Sequence, residues 1–320
     1  MVAHVLRAVA VAFFFAQAPT TWAQSFPNKP IRLVVPNPAG GTADLLARAI
    51  ARGIHEKTGS PVLVDNRPGA AGLTATQVVS RSDPDGYTLL FTNEAPITMI
   101  PVLRKETPYD PTAMAAISIV ASMPFYMVVN AKLGVSSVHD FIKLARQRTL
   151  HYGSTGIGGA SHLLTELFAD RSDLKLAHIP YQGGPQAMTN LMSGEVDLFF
   201  SIPTTALGQL SAKEARFLAV TSPSRTIEAP NVPTMAEQGI DDFVVGSWFG
   251  LLGPPMMPDQ LQNQLAQLVR SSFEDQQAKD VVLKQGAQLI LNAPADFRKH
   301  VAADIDKWKS IASKLNLTMD

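Results

Sequence analysis

The chain has 320 residues, 46% of them hydrophobic, with Lys+Arg and Asp+Glu both at 27 and no cysteine. That length admits two domains with separate cores, and the apolar content sets aside a disordered chain. Balanced charge offers no global field for nucleic acid or an anionic membrane, and the lack of cysteine excludes disulfides, thiolate metal sites and a cysteine nucleophile.

At the N-terminus, Arg7 precedes the apolar stretch from Ala8 to Ala16, and Thr21-Trp22-Ala23 places small residues where a signal peptidase reads. Residues 1–23 therefore read as an export signal cleaved after Ala23, with the mature protein soluble outside the cytoplasm. The stretch falls short of the roughly 20 residues that span a bilayer. No cysteine is present to carry a lipid anchor.

Beyond the signal, short aliphatic runs alternate with amphipathic stretches. Strands are expected over 31–35, 62–64, 88–92, 125–129, 150–153, 176–180, 196–201, 217–221 and 244–252. Helical patterns fall over 43–57, 72–80, 138–147, 161–169, 185–193, 258–273 and 294–314. This alternation predicts an α/β fold with largely parallel sheets flanked by helices. Thr42 is expected to cap the first helix with Asp44 in its first turn, and Gly59 and Gly194 to end helices. In the last helix Phe297, Val301, Ile305, Trp308 and Ile311 form an apolar stripe suited to packing on a sheet.

Ligands of open α/β sheets collect where strands exit, so the turns there carry the functional information. Two exits resemble each other: "VVPNPAGGTADLLARAIA" and "HYGSTGIGGASHLLTELFA" both pass from strand through small residues into a helix. Such turns expose backbone N–H groups at a helix N-terminus, where the dipole favours an anion. A turn that merely links strand to helix is the competing interpretation.

Other chemistries have less support. From Gly156 and Gly158 a dinucleotide fingerprint would continue to a third glycine, but Ser161 stands there, and no phosphate-loop Lys-Ser/Thr follows. A nucleophile elbow would need a glycine where Tyr152 stands, so an exported serine hydrolase using Ser154 is a weaker alternative. His162 and Glu166 sit four apart on one helix without a third ligand, which is too few for a metal site. Neutral hydroxyls and glycine amides fit a carboxylate best.

Segments along the whole mature chain resemble one family. "FPNKPIRLVVPNPAGGTADLLAR", "VDNRPGAAG", "DPDGYTLL", "YGSTGIGGASHL", "IPYQGGPQAMTNLMSGEVDLFF", "LAVTSPSR", "APNVPTMAEQG" and "SWFGLLGPPMMP" occur in order as in the Bug or TctC-type substrate-binding proteins of tripartite tricarboxylate transporters. The resemblance implies a two-lobe periplasmic binding protein fold of the type with two crossovers, lobe 1 spanning 24–124 plus 249–320 and lobe 2 spanning 125–248. Two crossings would tie the lobes along one edge, with hinges near 123–125 and 246–249. The resemblance further implies a monomer that is not an enzyme and needs no cofactor or metal. It would hold a small organic carboxylate between the lobes and pass it to a permease of two membrane subunits; use in signalling rather than uptake is the alternative.

Carried over by residue, the first-lobe loop is Asn37, Ala39, Gly40, Gly41 and Thr42, joined by Thr92 and Asn93. The second-lobe loop is Ser154, Thr155 and Gly156, joined by Tyr181, Gln182 and Ser201. Asn37 and Ala39 depart from the aromatic and proline common in the family. Asp44 and Arg48 fit capping and packing, whereas His162 and Asp197 stand between a structural role and support of the site.

Overall fold

Strand β1 (Ile31–Val35) is an aliphatic run buried at all but one position, so both of its faces must be covered. The computed structural model describes residues 26–314 and 316–319; the expected export signal lies outside the described residues. Helix α1 (Thr42–Thr58) follows β1 and ends, as expected, at Gly59 in the left-handed region. Strands β2 (Val62–Asn66) and β3 (Thr88–Asn93) flank β1 in parallel, with α2 (Leu73–Ser80) between them. From β3 the chain enters a π-helical turn (Ala95–Met99) and the short α3 (Ile100–Leu103).

The sequence pattern predicts no strand over 115–124, yet β4 (Ala115–Pro124) lies there. It sits inside the sheet and is buried almost throughout, so "AAISIVASMP" shows no polar–apolar alternation to reveal it. Through Phe125 the chain passes to β5 (Tyr126–Asn130) and a second sheet. There follow α4 (Val138–Ala145), β6 (Leu150–Ser154), α5 (Ala160–Arg171), β7 (Leu176–Pro180) and α6 (Gly184–Ser193). Strand β8 (Leu198–Ser201), helix α7 (Pro203–Ala206) and β9 (Ala215–Val220) complete the second lobe. Strand β10 (Gly246–Gly253) returns to the first sheet, followed by α8 (Asp259–Ser271), α9 (Gln276–Leu283), β11 (Gln288–Leu289) and α10 (Pro294–Lys314).

The sheets run β11-β4-β10-β3-β1-β2 and β7-β6-β8-β5-β9. Both are mixed, not mainly parallel as expected. Strands β1 and β6 have parallel neighbours on each side, whereas β10 opposes β3 and β4, and β5 opposes β8 and β9. The reason is directional: β5 and β10 each enter a lobe from the other one, against strands that point out toward it. Ser247 lies opposite Met123 and Gly246 opposite Pro124, so the two crossings run side by side.

The lobes are joined by more than these crossings, contrary to the expectation of ties along one edge. Helix α10 buries Phe297 and Val301 with Val34, Leu90 and Leu252 of the first lobe. Farther along, its Trp308 and Ala312 are buried with Phe125, Met127, Leu163 and Phe200 around the second sheet. At about 1.5 Å per residue the helix is long enough to cover both cores. The apolar stripe read from the sequence is therefore one face packed on two lobes.

Candidate functional site

Strands β1 and β6 hold equivalent places, each between two parallel neighbours, and each delivers a glycine-rich turn at its carboxyl end. The two turns share their backbone conformation. Gly40 has φ 83° and Gly158 φ 77°, in the left-handed region that disfavours side chains. Gly41 and Gly159 are the helix N-caps, at φ −76°, ψ 167° and φ −75°, ψ 162°. Gly41 donates its N–H to Pro38 O at 3.3 Å, and Gly159 donates to Gly156 O at 3.2 Å. One turn into each helix, Leu45 N–H meets Gly41 O at 3.0 Å and Leu163 N–H meets Gly159 O at 3.1 Å. The likeness seen in sequence is thus a repeated piece of backbone.

Neither helix has a side-chain cap, and Thr42 is the first helical residue, not the cap the sequence pattern predicts. The first-turn N–H groups of a helix have no partner within it, so α1 and α5 both present orphan donors. An anion is the natural partner for such donors.

Each turn is braced from within. In the first lobe Asp44 Oδ2 accepts the N–H of Gly40 at 2.9 Å and pairs with Arg48 Nε at 2.9 Å. Burial raises the Asp44 carboxyl, but hydrogen bonds from Arg48 and Gly40 outweigh it and hold the group below its ordinary value, hence ionised. Arg48 Nη2 reaches Asn66 Oδ1 at 3.4 Å, and Asn66 Nδ2 donates to Asn37 O at 3.0 Å. Asn37 Oδ1, Asp44 Oδ1 and Thr92 Oγ1 are buried without a hydrogen-bond partner among the described residues. Unsatisfied buried polar atoms are costly, and three from this one turn and the adjoining end of β3 invite a polar guest.

In the second lobe the brace is aromatic. His162 Nδ1 accepts the N–H of Gly158 at 3.2 Å, which puts the ring proton on Nε2. His162 stacks on His178 with ring centroids 4.2 Å apart, and His178 stacks on Tyr152 at 4.8 Å. Tyr152 donates its hydroxyl to Glu166. Burial holds His162 near pKa 4, and burial together with the neighbouring His162 does the same to His178, so both rings are neutral at ordinary pH. Ser154 Oγ lies 2.6 Å from His178 Nε2 and accepts the N–H of Gly156 at 3.1 Å.

Several expected ligand donors are engaged inside the turns. Besides Gly40, Gly41 and Gly156, the N–H of Thr155 is taken by Ser161 Oγ at 2.9 Å, and the Thr155 hydroxyl sits 3.1 Å from the same atom. Ser154 is 0% exposed, so its hydroxyl supports the turn from below. Ala39 and Thr155 are exposed and Thr42 is half-buried. Tyr181 donates its N–H to Ser154 O at 3.0 Å, tying β7 to the turn, while Gln182 is exposed with its N–H on Gln186 Oε1 at 3.3 Å. Ser201 is buried with Oγ 3.4 Å from Ile202 O, and Asn93 pairs with Phe249 across β3 and β10.

Across the gap between lobes Thr42 Oγ1 stands 3.4 Å from Thr204 Oγ1, and within its own lobe it stands 3.4 Å from Gln285 Oε1. The first-lobe turn thus faces α7, the short helix that follows β8. Asp197 lies at the start of β6, the end opposite the turn, where its Oδ2 accepts His151 N–H at 2.8 Å. Sequence reasoning missed His178, whose partner Tyr152 becomes its neighbour only once β6 and β7 are paired.

Comparisons with known proteins agree with this architecture. The family model described as "Tripartite tricarboxylate transporter family receptor" matches residues 46–317. Protein BugT of Bordetella pertussis is 31% identical over 293 residues, covering 90% of each chain. The structure of periplasmic binding protein BugD superposes with a TM-score of 0.80 at 27% identity, over 92% of this chain and 100% of that one. R. palustris Rpa4515, solved with adipate, gives a TM-score of 0.82 at 31% identity, over 92% of this chain and 99% of that one.

Proposed function

The chain belongs to the tripartite tricarboxylate transporter receptor family, periplasmic binding proteins and not enzymes, and from that premise we propose that it captures a small organic carboxylate between its two glycine-rich turns. The observation carrying this reading is the repeated turn: two helix N-termini in one conformation, neither capped by a side chain. Backbone N–H groups held rigidly there pay little entropy on meeting an anion, and each helix dipole favours negative charge. That Rpa4515 was solved with adipate supports a carboxylate ligand for this chain.

In this proposal the ligand-contacting set is Asn37, Ala39, Thr42, Thr92 and Asn93 from one lobe and Thr155, Tyr181, Gln182 and Ser201 from the other, with Gly40, Gly41, Ser154 and Gly156 shaping the turns. The lobes, 24–124 with 249–320 and 125–248, close by rotation near 123–125 and 246–249. The protein is a monomer, exported by cleavage after Ala23, that delivers its ligand to a permease of two membrane subunits.

The test is a thermal-shift screen of mono-, di- and tricarboxylates including adipate, followed by calorimetry. A ligand at about 100 times its Kd should stabilise the fold by roughly 2.7 kcal/mol. If uncharged analogues stabilise the protein and no carboxylate does, the proposed ligand class is wrong.

A further inference from the structure

The chain leaves α10 in a fixed direction. Asn316 takes the left-handed conformation at φ 51°, Leu317 donates its N–H to Ala312 O at 2.9 Å, and Asn316 donates to Ser313 O at 3.3 Å. This pair of bonds satisfies carbonyls that a helix end leaves open and redirects the backbone. Lys314, in the last turn of α10, pairs with Asp170 near the carboxyl end of α5 at 2.5 Å. The redirected segment then reaches the first lobe, where the Met319 N–H meets Leu103 O at 2.9 Å, at the end of α3.

The Met319 side chain touches both lobes. On one side it packs with Leu73, Ala95, Ile100 and Tyr109, beside the π-helical turn that follows β3. On the other it meets the second-lobe glycine-rich turn. A Cβ built on Gly158 would lie 2.4 Å from Met319 Sδ, 3.1 Å from Leu103 Cδ1 and 3.3 Å from Met319 Cε. Met319 and Leu103 thus cover the face of Gly158 where a side chain would stand. A flexible, unbranched thioether suits an irregular gap of this kind. Leu317, by contrast, packs on the core around the second sheet.

The hydrogen bonds inside that turn are local. Gly158 N–H on His162 Nδ1, Gly159 N–H on Gly156 O and Thr155 N–H on Ser161 Oγ join residues no more than six apart. They set the backbone conformation but do not fix the turn against the first lobe. Met319 and Leu103 supply that outside contact.

We infer that the segment following α10 is a strap between the lobes, and that Met319 is the positioning residue through which it holds the second-lobe turn in shape for capture. The inference rests on the reading above in placing that turn beside the ligand. Covered by Met319, the turn opens less often in the ligand-free protein. Held in one conformation, it loses less entropy on meeting a ligand and releases it more slowly.

Hydrogen exchange read by mass spectrometry and calorimetric titration of adipate test this on the parent, Met319→Ala, Met319→Leu and Leu317→Ala, with thermal unfolding and the adipate release rate of each recorded alongside. Without ligand, Met319→Ala should speed exchange of the amides over 155–159 by about tenfold. Met319→Leu conserves volume and should restore the parent rate. Leu317→Ala should lower the melting temperature and leave exchange over 155–159 as in the parent. Adipate should bind Met319→Ala about 3- to 30-fold more weakly, through faster release, and the other two variants within about threefold of the parent. Unchanged exchange over 155–159 in Met319→Ala would overturn the inference. So would an equal rise in Leu317→Ala, because the contact would then act through global stability alone. Faster exchange with unaltered adipate affinity would also overturn it, since the shape of the turn would not serve capture. A parent that does not bind adipate would count against the carboxylate reading alone; the exchange comparison still decides whether the strap holds the turn.

Discussion

Gly286 offers a direct test of lobe closure. It lies between α9 and β11 with φ 64°, and a Cβ built on it would stand 2.4 Å from Pro203 Cβ, 3.1 Å from Pro203 Cγ and 3.2 Å from Leu207 Cδ1. Pro203 and Leu207 belong to the opposite lobe, next to the Thr204 that faces Thr42. Carbon atoms rest about 3.5–4.0 Å apart, so Gly286→Ala forces roughly an ångström of separation against a rigid proline ring. Overpacking of this kind costs about 1–3 kcal/mol, and it falls on any arrangement of the lobes that keeps Gly286 against Pro203. Adipate affinity should then fall by a factor of about 5 to 150. The backbone strain of a left-handed alanine, about 1 kcal/mol, falls on the whole fold and needs its own control. Gly59→Ala supplies it, because Gly59 has φ 73° with nothing within 4 Å of a built Cβ. Calorimetry gives the affinities, and small-angle scattering at saturating adipate gives the extent of closure. If Gly286→Ala binds and closes like the parent while losing the same stability as Gly59→Ala, the contact has no part in closure and the reasoning fails.

Two further outcomes are expected. Burial raises Glu94 to about 7, against hydrogen bonds from Ser247 Oγ and Trp248 N–H and with Asp304 nearby adding to the rise. A carboxyl raised on folding contributes stability that is full below its unfolded value near 4.5 and is lost as pH climbs through about 7, on the order of 3 kcal/mol in total. Glu94→Gln should flatten the pH 4.5–7 part of the urea-unfolding profile relative to the parent; parallel profiles would refute the assignment. N-terminal sequencing of the exported protein should read from Gln24, and an intact Met1 on the soluble periplasmic form would contradict export by cleavage.

Much of the fold was legible because local signals agreed with the tertiary outcome. Strand β1 and the run over 176–180 stand as expected, and Gly59 and Gly194 end their helices in the left-handed region. Strand β4 was hidden because full burial erases alternation, and the mixed direction of the sheets follows from where β5 and β10 enter, which no local pattern encodes. The stripe on α10 was visible, but its division between two cores depends on how the lobes stand together. At the site, glycines and hydroxyls marked the right turns, yet sequence could not tell donors spent inside them from donors left over. Gly40, Gly41, Thr155 and Gly156 are spent; the first turns of α1 and α5 are not capped. His178 escaped notice because its contacts with Ser154 and Tyr152 cross between strands.

A carboxylate held at the strand exits between the lobes would hydrogen-bond to first-turn amides of the helices that follow β1 and β6. A crystal structure of the protein with adipate tests it most directly. A carboxylate is expected within hydrogen-bonding distance of the α5 first-turn N–H groups at Ala160 and Ser161, with the rest of the ligand extending toward Asn37 and Thr92. Adipate ordered elsewhere, with those amides left to water, would contradict it.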